Sequence, residues 1–162
     1  MQKLKIILYA VLFFSAGSFA SSTSDYGNFM VYAQIMSQNC VFEVRSLSFG
    51  TILVTKDKQI IKVLPIENNT QGESGKFIIM GRKNQNFLAM LKKQNINMNY
   101  GDNYLKVKDF TLSMNGKKPE KILKGILDNE EAEIFVGATL EIPKDQKTGN
   151  YSGKNTIVVY MY

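Results

Sequence analysis

Short apolar runs that alternate with period two, separated by turn-forming residues, constrain the fold of this chain most. The run FMVYAQIM at 29–36 places Phe29, Val31, Ala33 and Ile35 on one face of an extended segment. Turn residues such as NNTQGESG at 68–75 and KDQKTGN at 144–150 fill the gaps. This pattern predicts an all-β protein, an antiparallel Greek-key β-sandwich. The further predicted strands are 40–44, 47–52, 60–66, 76–81, 87–91, 104–114, 133–142 and 155–162.

Helix signals are weak. The stretch 119–133 has apolar residues at helical spacing, but Gly125 interrupts it, so we predict at most one helical turn or a loop edge. The segment 87–94 is the other place where a helical turn is compatible with the sequence.

The first twenty residues have the layout of a secretory signal peptide. Lys3 and Lys5 precede an apolar core at 6–14, and the small residues Ser18 and Ala20 follow it. An apolar core of this length is too short for a transmembrane anchor, which needs roughly 20 residues. We therefore expect cleavage after Ala20, a single domain over 21–162 with no membrane span, and export to the periplasm, the cell surface or the medium.

The composition argues against catalysis and against a bound cofactor. The chain has no histidine and one cysteine, which removes the usual nucleophile–base pairs and makes a zinc site improbable. No phosphate-binding glycine loop occurs. The acidic run at 128–133 lacks the spacing of a calcium loop and is best interpreted as a solvated loop. We predict a non-enzymatic protein without a metal or cofactor.

The net charge and the single cysteine limit which partners and which cross-links are expected. The net charge is +6, and it is +4 without Lys3 and Lys5. This charge is too small for the dense basic surface that nucleic-acid-binding proteins carry. Cys40 has no partner for an internal disulfide, and we expect it to be buried as a small apolar residue.

The last strand is apolar on both faces. Ile157, Val159 and Met161 lie on one face, and Val158, Tyr160 and Tyr162 on the other. A strand with one solvent-exposed face would be polar at alternate positions. This strand is therefore either an inner strand of the sandwich or a strand with one side that awaits a partner.

Two motifs and this strand carry a resemblance. LSFGTI at 47–52, IFVGATLEIPKDQKTGNYSG at 134–153 and a terminal apolar strand with tyrosines resemble a family of small secreted bacterial proteins. That family is catalogued as a domain of unknown function, and it is similar to the spore coat protein U domain and to chaperone–usher pilins. The resemblance implies an immunoglobulin-like, pilin-like sandwich. Its motif glycines are Gly50, Gly137, Gly149 and Gly153.

The match to pilins is incomplete. Gly149 is the residue fourteen positions from the end that pilins keep as glycine, but Met161 stands where pilins have an aromatic penultimate residue. The pilin disulfide cannot form, since Cys40 has no mate.

The resemblance implies assembly by β-strand addition, either to another copy or to a pilus-type chaperone. Residues 21–36 are the natural donor for such an addition, but we favour the alternative that they form the first strand of their own complete sandwich, because the chain has enough strands to close itself. We expect a secreted structural or adhesive subunit, fimbria-like or coat-like. The alternative is a monomeric secreted module that binds a glycan or a host protein. The predicted interaction residues are Val31, Ala33, Ile35, Ile157, Val159, Tyr160, Met161 and Tyr162.

Overall fold

The alternating segments fold into strands. The computed structural model describes residues 39–114 and 117–162, which contain strands and no helix, and hence no helix long and apolar enough to cross a membrane. The predicted signal peptide 1–20 and the predicted donor 21–36 lie outside the described residues. The strands are β1 (Cys40–Arg45), β2 (Gln59–Val63), β3 (Gly75–Met80), β4 (Asn86–Leu91), β5 (Ile96–Tyr100), β6 (Asn103–Ser113), β7 (Ile122–Ile126), β8 (Glu131–Ile142) and β9 (Ile157–Met161).

These strands form two antiparallel sheets of unequal size. The larger has the order β1-β3-β8-β6-β5, and β2 also pairs with β8. The smaller has the order β7-β4-β9. The long strand β8 accommodates two partners on one edge, because β3 pairs with its first half and β2 with its second. The chain crosses from the larger sheet to the smaller one before β4, β7 and β9, and it returns to the larger sheet after β4 and after β7. This arrangement confirms the predicted all-β antiparallel sandwich.

The core lies between the two sheets. Alternate residues of β8, from Ile134 to Ile142, are buried in one core cluster with residues of the smaller sheet such as Phe87 and Leu123. Complete burial of one such aliphatic or aromatic side chain contributes roughly 1.5–3 kcal/mol. The near-continuous apolar composition of β8 follows from its position, since its other face is also covered. Phe135 on that outer face is buried, and Nζ of Lys76 lies 5.5 Å from the centroid of its ring.

Three sequence predictions were wrong in detail. The segment 47–52 is not a strand: it makes a single bridge, Ser48 to Glu73, and Gly50 has a left-handed φ of 72° that interrupts an extended chain. The stretch around Gly125 is not helical, because residues 122–126 form β7. Cys40 is half-buried at the start of β1 and not fully buried.

Strand β9 lies at an edge. Among the described residues it pairs with β4 alone, so it ends the smaller sheet and is not an inner strand there. Its two faces differ. Ile157, Val159 and Met161 pack against the core, whereas Tyr160 and Tyr162 are more than half exposed on the outer face.

Candidate functional site

A cleft opens beside β9, where the larger sheet extends past the smaller one. Its inner part has a volume of about 470 Å³ and its outer part about 370 Å³. The two parts adjoin, because both are lined by Leu47, Phe49, Met98 and Tyr151. We call the two together the cleft.

The inner part is lined by side chains that belong to the sandwich core. Ile157 of β9 lines one wall. The other wall is the inner face of the larger sheet, to which four strands contribute: Phe77, Met98, Val107, Phe110 and Val136. Because these strands lie side by side, the wall is a continuous apolar surface. The three-stranded sheet is too narrow to cover it.

The motif at 47–52 forms part of the rim of the outer part. Phe49 is 6% exposed and anchors the segment in the core, while Gly50 and Thr51 face the cleft. The Ser48 hydroxyl oxygen accepts a hydrogen bond from the Gly50 amide at 3.2 Å. The left-handed Gly50 therefore turns the chain at the edge of the cleft, and the segment does not continue as a strand.

The motif at 146–153 forms the opposite rim. The Tyr151 hydroxyl accepts a hydrogen bond from Nε2 of Gln146 and donates one to the carbonyl of Lys147, both at 2.7 Å. The Tyr100 ring lies 5.6 Å from the Tyr151 ring, centroid to centroid, in a tilted arrangement. Two backbone hydrogen bonds between Asn99 and Ser152 attach this segment to β5.

Close contacts, with a side-chain ring at one position and with backbone at two, explain three of the four motif glycines. A Cβ on Gly149 would lie 2.3 Å from the Tyr100 ring, and one on Gly153 would lie 2.7 Å from the carbonyl oxygen of Asn97. Both glycines line the cleft, as Gly50 does. Gly137 lies elsewhere, on β8, where a Cβ would lie 2.5 Å from the carbonyl oxygen of Val63.

The charged groups with shifted pKa values lie outside the cleft. A hydrogen bond from Lys76 to Glu133 raises the pKa of Lys76. A hydrogen bond from Lys108 to Glu141 raises the pKa of Lys108 in the same way. None of these four residues lines the cleft. In residues 39–114 and 117–162, no three carboxylate or thiol side chains converge to hold a metal ion. The cleft combines an apolar wall with polar side chains at its rims, such as Gln146 and Asn150.

The predicted interaction residues separate into three groups. Ile157 lines the cleft, and Val159 and Met161 lie further along the same inner face of β9. Tyr160 and Tyr162 lie on the opposite face. The remaining three, Val31, Ala33 and Ile35, lie outside the described residues.

Sequence analysis missed part of the cleft wall. The strand β5 has the sequence INMNY, whose asparagines hide a period-two pattern in which Ile96 and Met98 point inward. That alternation was the available signal. Phe77 and Phe110 lay in predicted strands, but no local feature indicates that their side chains border an opening.

The fold and the cleft define a class: a small antiparallel β-sandwich with an apolar cleft beside an edge strand. Residues 40–160 match the model of the family described as "Domain of unknown function (DUF4402)", and the chain belongs to that family. The matched range includes both cleft motifs and nearly all nine strands. Searches of the curated proteins and of the solved structures found no match.

Proposed function

We propose that this protein is an exported, non-enzymatic structural or adhesive subunit of a bacterial surface, fimbria-like or coat-like. It works by accepting an extended segment in the cleft. The observation that carries the proposal is a cleft lined by core side chains beside an edge strand: Phe77 is half-buried, and Phe110 and Val136 lie buried at the base of the cleft next to β9. The likeness to spore coat protein U and to pilins, which rests on the motifs alone, agrees with this role.

Strand addition fits both chemical features of the cleft. The outer edge of β9 can offer backbone donors and acceptors to an added strand. An added strand also presents alternate side chains to one face, and the apolar wall can receive them. The main chain would then supply affinity, and the wall would select the apolar face of the added strand.

Residues 29–36 have the required pattern. Their apolar set, Phe29, Val31, Ala33 and Ile35, alternates with Met30, Tyr32, Gln34 and Met36. Donated to a neighbouring copy, the segment links subunits into a polymer. Bound to its own chain, it completes the sandwich of a monomer. A pilus-type chaperone would use the same cleft.

The test compares two adjacent substitutions in the purified protein. Ile35→Arg places a charge on the apolar face of the segment, and Gln34→Arg places the same charge on the other face. We expect Ile35→Arg to lower the urea midpoint or to abolish association, and Gln34→Arg to do neither. Copies with two different tags, unfolded and refolded together, will co-purify if the segment is exchanged between chains. Equal behaviour of the two variants would contradict the proposal.

A second candidate function has its own supporting observation. The outer part of the cleft is lined by polar side chains beside an aromatic ring: Thr51, Gln146, Thr148, Asn150 and Tyr151. Apolar surface with a few polar groups is typical of a small-ligand site, and here it would serve a monomeric module that binds a glycan or a host protein. Glycan-array binding that is lost in Gln146→Ala, by a protein that stays monomeric and tolerates Ile35→Arg, would favour this candidate.

A further inference from the structure

The outer face of the three-stranded sheet is unusually apolar. An antiparallel sheet with one face on the core normally presents polar side chains on the other. Here the outward positions of β7, β4 and β9 carry one lysine and one asparagine, and the rest are apolar or tyrosine. Several are strongly exposed, including Ile122 at 50% and Tyr160 at 54%. We call this surface the outer patch: Ile122, Lys124, Ile126, Asn86, Leu88, Met90, Val158, Tyr160 and Tyr162.

The strand register arranges the outer patch in three rows. The middle row is Lys124, Leu88 and Tyr160, with the leucine on the central strand. One end row is Ile126, Asn86 and Tyr162, in which the Tyr162 amide donates to the Asn86 carbonyl at 3.0 Å. The other end row is Ile122, Met90 and Val158. A cation therefore lies at one side of the middle row and an aromatic ring at the other.

We propose that the outer patch docks against the same patch of a second copy of this chain, through a twofold axis that runs parallel to the strands. That rotation places β7 of one copy over β9 of the other and β4 over β4. Lys124 then lies over the ring of Tyr160 of the second copy, twice in the dimer. An ammonium group over a tyrosine face is attractive, and more so when water is excluded.

The remaining contacts of this arrangement are also complementary. Ile126 faces Tyr162 of the second copy, and Ile122 faces Val158, so apolar surface meets apolar surface. The two copies of Asn86 face each other, and an amide can both donate to and accept from its twin. Aligned packing of two sheets about 10 Å apart is the common geometry of β-sandwiches.

The charge of Lys124 disfavours the other way of stacking the two patches. A twofold axis perpendicular to the strands would place β7 over β7, and Lys124 of each copy would face its twin. Two lysines in contact repel each other across an apolar surface. The axis parallel to the strands is favoured because it forms two Lys124–Tyr160 contacts, whereas the perpendicular axis forms none.

The interface is small, so the dimer is weak. Three strands of five residues span roughly 14 Å by 17 Å, well below the roughly 800 Å² per partner of a standard interface. Lys92 continues the outward positions of β4, is exposed, and lies near its twin at the axis. We expect a dissociation constant of about 0.1–1 mM that improves with salt, because salt screens this repulsion. In a surface assembly, a high local concentration would compensate for low affinity.

A charge-swap experiment tests the pairing of positions 124 and 160. Tyr160→Lys places two lysines together at both contacts, and we expect the dissociation constant to rise at least about tenfold in sedimentation equilibrium. Lys124→Glu removes both cation–ring contacts and weakens the homodimer as well. A mixture of the two variants forms one Glu–Lys contact and one Lys–Tyr contact in each mixed dimer. We expect the mixture to associate more strongly than either variant alone.

An exposed tyrosine outside the outer patch provides the control. Tyr104→Lys alters a tyrosine that is 60% exposed on the larger sheet, and it should leave association unchanged. A protein that stays monomeric at 1 mM overturns the proposal, as does a mixture no stronger than its components. Coverage of the patch by another part of the same chain would show as a monomer destabilised by Tyr160→Lys, which also overturns it. Ile35→Arg leaves the outer patch unaltered, so failure of the cleft proposal is a separate result.

Discussion

The ring of Tyr100 lies against Gly149: a Cβ placed on Gly149 would be 2.3 Å from Cδ1 of Tyr100. The contact joins β5 to the motif at 146–153 and brings the two tyrosines of this rim together. Strand β9 begins at Ile157, so Gly149 precedes the strand and is needed for a side-chain contact at the cleft.

Gly149→Ala should lower the free energy of unfolding by about 1–3 kcal/mol, because the new methyl group displaces the Tyr100 ring. The ring is 40% exposed and can move outward, so the protein should still fold. In a Tyr100→Ala background the same substitution should cost almost nothing, since the obstacle is gone. Urea denaturation of the four proteins measures this coupling. Additive effects would show that the glycine is needed for another reason.

Gly125→Ala should destabilise the smaller sheet. Gly125 pairs with Phe87, whose side chain is fully buried, and a Cβ would lie 2.5 Å from Cζ of that ring. Unlike Tyr100, this ring cannot swing into solvent, so we expect a loss of about 1–3 kcal/mol in urea denaturation. Combining Gly125→Ala with Phe87→Leu should recover part of the loss. An unchanged midpoint for the single variant would contradict the close contact.

Gly125 also shows where the sequence misled. Ile122, Leu123, Ile126 and Leu127 have helical spacing, and a glycine among them reads as an interruption of a weak helix. In the structure the segment is a strand, because pairing with β4 places Leu123 in the core and leaves room for Phe87 only at a glycine. That reason is a contact between distant segments, which no local pattern contains.

The alternation of β6 and the short apolar runs of β8 and β9 made those strands predictable. The cleft was not predictable in the same way. The two motifs that form its rims could be recognised in the sequence. That they lie on either side of one cleft depends on the pairing of Asn99 with Ser152 and on the small width of the three-stranded sheet. Of the outer patch, the sequence indicated only the apolar second face of the last strand.

The ion pair of Lys108 and Glu141 should make stability depend on pH at the acid end. The hydrogen bond from Lys108 lowers the pKa of Glu141 below its ordinary 4.5, and the charges of Lys108, Lys58 and Lys106 add to this against the opposing effect of burial. A carboxyl with a lowered folded-state pKa stabilises the fold above its ordinary pKa. That stabilisation is lost as the pH falls through the lowered value.

Glu141→Gln should therefore lower the urea midpoint at pH 7 and make a smaller difference as the pH falls toward 3, because the parent loses the same contribution as the pH falls through the lowered pKa of Glu141. Glu131→Gln is the matched control, since Glu131 is exposed and forms no ion pair with the described residues. A difference between parent and Glu141→Gln that stays constant from pH 7 to pH 3 would exclude the pair as its cause.

Asn155 extends the pairing of β9 with β4 by a side chain. Its Oδ1 accepts from the Lys93 amide at 3.2 Å, and its Nδ2 donates to the Lys93 carbonyl at 2.8 Å. Asn155→Asp keeps the acceptor but places an oxygen against that carbonyl, so we expect a loss of about 1–3 kcal/mol by urea denaturation. Asn155→Ala should cost less, because it adds no repulsion. Equal losses in the two variants would indicate that the donated hydrogen bond contributes little.

Two neighbouring valines of β9 give the sharpest test of its faces. Val159 pairs with the buried Ala89 and packs against the core, whereas Val158 pairs with Met90 on the outer patch. Val159→Asp forces an unpaired carboxylate toward the core and should cost about 3–5 kcal/mol in urea denaturation. Val158→Asp places the same group beside solvent, so we expect a loss of only about 1 kcal/mol, mainly from the poorer strand propensity of aspartate.

Self-association should respond in the opposite order. Val158→Asp puts a carboxylate opposite Ile122 of the second copy, so sedimentation equilibrium should show a dimer weakened at least about tenfold while the fold is kept. Val159→Asp, examined at a temperature where it remains folded, should associate as the parent does, because its side chain does not reach the outer patch. Equal destabilisation by the two substitutions would show that β9 has no core-facing side, and the placement of both the cleft and the outer patch would fail with it.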